Sequence, residues 1–108
     1  MNAVVLAAVC DLKEHERRLA AAKRASDAAE AAADEFDRQS LQAQKDNWPK
    51  QRELWERKHA AGRHEASCDA QLRGARSRLR AAIAANMDSL WPGLTEWQAE
   101  FAIAALLD

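Results

Sequence analysis

From about Ala3 to about Lys45 the chain contains neither glycine nor proline, and small or apolar side chains recur every seven positions. One seam position takes Val5, Leu12, Leu19, Ser26, Ala33 and Ser40, and the other takes Ala8, His15, Ala22, Ala29, Phe36 and Ala43. Alternating steps of three and four put both sets on one side of an α-helix. The pattern predicts a first helix over about 3–45, with a seam that thins in the middle where alanine and serine replace leucine.

The stretch DNWPKQ, residues 46–51, interrupts the pattern. Proline lacks a backbone N–H and clashes inside a helix, yet it suits the first turn of a new one, with Asp46 or Asn47 as its N-cap. A tight turn over 46–49 is expected, followed by a second helix over about 49–90. Leu54, Ala61, Cys68, Ala75 and Ala82 repeat at heptad spacing, and Leu72, Leu79 and Asn86 follow the last three at four positions. Two long helices joined by a short turn fold back antiparallel. A turn centred near Trp48 would set Phe36 near Gly62 and Leu19 near Gly74 and Ala75. Each glycine costs about 1 kcal/mol in a helix interior, so either a large side chain packs on it or the helix is merely loosened there.

WPGL, residues 91–94, is a second turn signal. Thr95 stands three residues before Gln98, the spacing of a capping box in which each side chain satisfies the other's backbone N–H. Leu94 would pack on Ala99 as a staple. A third helix over about 96–107 follows, so the expected fold is all-α: a long, coiled-coil-like antiparallel hairpin with an alanine-rich seam and a short C-terminal helix packed on its open end. Seven of the 24 Val, Ile, Leu, Met, Phe and Trp residues fall in 1–19 and twelve in 72–108. The hairpin brings those rich ends together as a head, with the lean middle as an arm reaching roughly 39 Å at helical rise. The single domain of 108 residues has a small core, and an alanine seam buries little area, so a homodimer or a larger complex is expected to supply the remainder.

Formal net charge is −1, which gives no overall field to recruit nucleic acid or membrane. The distribution is uneven: residues 1–47 carry seven basic and nine acidic groups, 48–86 nine and four, and 87–108 none and four. The N-terminus has too short an apolar stretch, without preceding positive charge, for a secretory signal. Neither it nor any other run reaches the roughly 18 apolar residues a membrane span needs. Two cysteines without an export signal predict a reduced, cytoplasmic protein.

Candidate chemistry is sparse. His64 and Cys68 at i and i+4 could face one metal, but two ligands do not make a zinc site. Cys68 lies on the seam, where a small buried thiol is ordinary, and a disulfide to Cys10 is excluded by their separation along a hairpin. His15 is a seam histidine without a nucleophile or carboxylate constellation. Asp34, Glu35 and Asp37 are expected to form ion pairs across the hairpin with Arg57, Lys58 and Arg63. No phosphate loop, metal box or nucleophile motif occurs, so catalytic residues, cofactors and metals are all expected to be none.

Two surfaces compete for function. Trp48 and Trp55 are either an exposed aromatic pair of the kind that forms interface hot spots or a cap tucked against Leu41 and Leu54. The C-terminal segment adds Trp91, Trp97, Phe101, Ile103 and Leu107, an arc too wide for a helix with one buried stripe. Part of it should close the head against Val5, Val9, Ile83 and Met87, and part, around Ile103 and Leu107, should meet a partner. The favoured function is a noncatalytic protein–protein interaction module, an adaptor, inhibitor or assembly factor. Size and composition resemble phage and mobile-element accessory proteins that block a host complex, an analogy of architecture only. The alternative is nucleic-acid binding through Arg73, Arg76, Arg78 and Arg80 on the second helix. Against it stand the chain's balanced charge and the lack of aromatic residues among the arginines.

Overall fold

The computed structural model describes residues 2–39, 41–93 and 95–107; the side chains of Glu96, Ala99, Ala102, Ile103, Leu106 and Leu107 lie outside the described set. The order is α1 (Ala3–Asp37), α2 (Leu41–Asp46), α3 (Trp48–Ala85), α4 (Met87–Leu90) and α5 (Glu96–Leu107). Among the described residues there is no strand. The two long helices, α1 and α3, pair antiparallel as a hairpin.

Packing divides the chain into two compact units, residues 1–17 with 70–108, and residues 18–69. This boundary falls within about one helical turn of the place where large apolar residues thin out along the sequence. In the first unit Val5, Leu79 and Ile83 form a buried cluster, with Ala8, Val9, Leu12, Ala82, Met87 and Leu90 packed around it. Each of the three buried side chains contributes about 1.5–3 kcal/mol relative to exposure. Arg78 crosses from α3 to α1 and donates Nε and Nη2 to Asp11 Oδ2 at 3.0 and 2.8 Å. In the second unit Ala33, Phe36 and Leu54 make a separate cluster, and Leu19, Ala22 and Cys68 are also buried.

Both heptad seams are observed: Val5, Leu19, Ala22, Ala33 and Phe36 are buried on α1, and Leu54, Cys68, Leu72, Ala75 and Leu79 on α3. Two features of the hairpin differ from the sequence expectation. The first helix ends at Asp37 rather than near Lys45, and the connection to α3 contains α2 rather than a turn confined to 46–49. Beyond Phe36 the seam offers only Ser40 and Ala43, so continuing α1 would bury little, and helical propensity without tertiary burial is weak. The chain stops without glycine because side chains serve the free carbonyls. Gln44 Nε2 donates to Asp37 O at 3.1 Å and Gln39 O at 2.7 Å, while the Gln39 backbone N–H closes a tighter turn to Phe36 O at 3.0 Å. Asn47 turns its Nδ2 back to Ala43 O at 2.9 Å, serving the end of α2.

The pairing register shifts as a consequence. With the reversal earlier than Trp48, Phe36 meets Leu54 rather than Gly62, a displacement of about one heptad along α3. Gln51 Nε2 reaches Asp37 Oδ1 at 3.4 Å in the same register. A Cβ added at Gly62 would meet no described atom within 4 Å, and one added at Gly74 would meet Arg78 Nη1 of its own helix at 3.3 Å. Neither glycine receives a large side chain across the hairpin as expected.

The second long helix also ends sooner than position 90. Asn86 breaks it, donating Nδ2 to Ala82 O at 2.7 Å, before the short α4. Asn2 is the N-cap of α1, its Oδ1 accepting the Val4 and Val5 N–H groups at 2.8 and 3.3 Å. Its Nδ2 donates to Asn86 Oδ1 at 2.8 Å, so one residue caps α1 and ties it to the end of α3. Asn2→Ala is expected to cost about 1–2 kcal/mol by urea denaturation at unchanged m-value. Asn2→Ser keeps the cap and should lose about half as much; no loss in Asn2→Ser would show that the cross-helix bond contributes nothing, and a loss equal to that of Asn2→Ala would show that the cap contributes nothing.

Pro92 and Gly93 turn the chain as expected, Gly93 at φ +86°, where a Cβ would be strained. The capping box forms as well: Gln98 N–H donates to Thr95 Oγ1 at 3.3 Å and Thr95 N–H to Gln98 Oε1 at 3.1 Å. The staple expected between Leu94 and Ala99 lies outside the described residues.

Candidate partner-binding surface

Trp48 and Trp55 stand seven positions apart on α3, two turns along one face. Phe36, Ala33 and Leu54 fill the adjacent seam, so the tryptophans are directed elsewhere: Trp48 is 64% exposed and Trp55 51%. Leu41 on α2 is itself 74% exposed, which rules out the arrangement in which the tryptophans tuck against Leu41. Gln51, Arg52, Glu56 and His59 join them around an open trough of about 470 Å³. The trough is apolar because the indole faces line it, and its charged rim is self-neutralised where Arg52 Nε donates to Glu56 Oε1 at 3.2 Å.

His59 was not legible as part of this surface. Its ring meets Trp55 edge-on, 5.8 Å between centroids at 70°, the T-shaped arrangement that aromatic pairs prefer. The signal was the i, i+4 spacing of the two rings.

Near this surface three ion pairs are local in sequence. Arg38 pairs with Glu35 at 2.9 Å, Arg57 with Glu53 at 2.6 Å, and Lys50 with Glu53 at 3.8 Å. The expected cross-hairpin pairing of Arg57 with the acidic run is thereby replaced, since the shifted register changes which residues face each other.

On α5, Trp97 and Phe101 stack at 6.1 Å with an interplanar angle of 18°. They are 73% and 69% exposed. Trp91, just past α4, is 37% exposed. The side chains of Ile103 and Leu107, the other two expected contacts on α5, lie outside the described residues.

Arg73, Arg76, Arg78 and Arg80 are all exposed on α3. Arg78 is held by Asp11 of α1, and all four keep helical spacing along α3. Glu14 and Glu16 pair within α1, to Arg17 at 2.7 Å and Lys13 at 3.8 Å.

His15, half-buried beside the core, places Nδ1 2.8 Å from Asp11 O and 3.2 Å from Asp11 Oδ1, which satisfies the ring locally. Cys68 Sγ lies 3.7 Å from His64 Nε2, and Cys10 and Cys68 are both free. Among the described residues, no three His, Cys, Asp or Glu side chains gather as metal ligands. No helix of the described residues is long and apolar enough to cross a membrane. Comparison with known proteins gave no match among family models, curated proteins or solved structures.

Proposed function

We propose that the protein is a noncatalytic protein–protein interaction module whose working surface is the Trp48–Trp55 face of α3. The observation that carries it is two tryptophans more than half exposed on a helix whose apolar seam is already filled by Phe36 and Leu54. Folding alone does not require them there. Tryptophan on a helix face offers large contact area at low rotamer cost and dominates interface energetics. An adaptor, inhibitor or assembly-factor role, including that of a phage or mobile-element accessory protein, fits such a face.

The exposed spacing of Arg73, Arg76 and Arg80 supports a second role in nucleic-acid binding, and one pair of variants separates the two. Trp48→Ala/Trp55→Ala is expected to weaken partner capture by about 100-fold or more while helicity stays constant. Arg73→Ala/Arg76→Ala/Arg80→Ala should leave that capture within about threefold. Steeply salt-dependent binding to generic DNA or RNA that the arginine variant loses, with no protein capture lost by the tryptophan variant, would replace the first proposal with the second.

A further inference from the structure

We infer that the occupant of the tryptophan-bearing face is a second copy of this chain, with the two α3 helices antiparallel about a two-fold axis between Ala60 and Ala61. This rests on the interaction surface proposed above and names its partner.

Arg52, Trp55, His59, Gly62, Ala66 and Asp69 follow one another in steps of three and four along α3, forming a second strip beside the seam of Leu54, Ala61 and Cys68. A two-fold interface must be self-complementary: if residue i meets j, then j meets i. Inverting this strip about the midpoint of Ala60 and Ala61 sets Trp55 over Ala66, His59 over Gly62, and Arg52 over Asp69. Large meets small, and basic meets acidic. On the outer flank the same operation brings Glu56 beside Arg63. A parallel arrangement would instead stack Trp55 on Trp55 and Arg52 on Arg52.

Gly62 supplies an independent observation. An added Cβ would meet no described atom within 4 Å, so packing inside the described chain does not demand a glycine that weakens the helix. Beside it Ser26, Glu30, Lys58, His59 and Ala66 line an open groove of about 410 Å³. A glycine there lets another backbone or ring approach closely, and the ring that inversion delivers to the neighbouring position is Trp55.

Charge selects the same occupant. Between positions 52 and 69, Arg52, Arg57, Lys58 and Arg63 are balanced by Glu53, Glu56, Glu65 and Asp69. A balanced face with alternating sign suits its own inverse and offers a polyanion no net attraction. The strip is roughly 26 Å long, and side-by-side helices of that length bury on the order of the 1,000 Å² a specific interface needs.

The test is sedimentation equilibrium of the full chain with circular dichroism as the folding control. At about 100 µM, a concentration that detects even weak self-association, the wild type should run at twice its 12.0 kDa mass. Gly62→Leu should retain or raise helicity and thermal midpoint, because leucine is the better helix former and enters open space. It should nevertheless weaken dimerisation about tenfold or more, as should Trp55→Ala. Glu56→Arg and Arg63→Glu should each weaken the dimer, and the double exchange should return it to within about threefold of wild type.

A single-chain mass for the wild type overturns the proposal, as does a dimer indifferent to both Gly62→Leu and Trp55→Ala. Single-chain mass combined with tryptophan-dependent capture of another protein would reject the second copy and leave the interaction surface standing. A dimer that forms, and a capture that persists, without Trp48 and Trp55 would reject both.

Discussion

Phe36→Ala is expected to destabilise residues 18–69 by about 3–5 kcal/mol, a large share of the roughly 5–15 kcal/mol that holds a small domain folded. Phe36 is buried against Ala33 and Leu54, and this short part of the hairpin has few other large side chains to close the cavity. Its loss should be local. In hydrogen exchange, amides near Phe36 and Leu54 should lose protection, because opening there no longer breaks a packed cluster. Those near Leu79 should change less. A cost below about 1 kcal/mol, the range of surface substitutions, would show that this cluster does not stabilise the hairpin.

Leu79→Ala should cost about 2–5 kcal/mol and act on the other unit. Leu79 clusters with Val5 of α1 and Ile83 of α3, with Leu12, Met87 and Leu90 packed against them, so its removal loosens α1 and α3 together. Arg76→Ala on the exposed face of the same helix is the control and should stay within about 0.5 kcal/mol of wild type. The clusters around Phe36 and Leu79 share no residue. The two substitutions should therefore add to within about 0.5 kcal/mol in the double variant, provided it still folds. Strong non-additivity would mean that one helical pair transmits each defect into the other unit.

Much of the architecture was legible because its signals are local. Thr95 and Gln98 announced a capping box, and it formed, since both partners lie within one helical turn. Gly93 marked a turn and takes a positive φ that other residues disfavour. The surface was legible only in part. Trp48 and Trp55 could be singled out by type and position, but whether they are covered depends on where Leu41 and Leu54 go. Leu54 is drawn into the seam by Phe36 while Leu41 remains outside. His59 gained its place only when its ring was seen against Trp55. Trp97 and Phe101 could be singled out as large apolar residues of α5, and both are exposed; an apolar helix advertises burial without specifying what buries it.

The sequence by itself determined that the chain is helical, which residues form the seams, where the C-terminal turn falls and how α5 begins. Glycine, proline, capping groups and the heptad period act over a few residues and are read directly. Only the tertiary structure decided where α1 stops and which residues of α3 it faces. The physical reason is that the seam repeats every seven residues, so sliding one helix by a heptad returns small and apolar positions to the interface. An alanine-rich seam is nearly indifferent to that slip. A few large side chains break the degeneracy, Phe36 on Leu54 and Val5 on Leu79 and Ile83, and their burial fixes the register that leaves Gly62 open and the tryptophans outside.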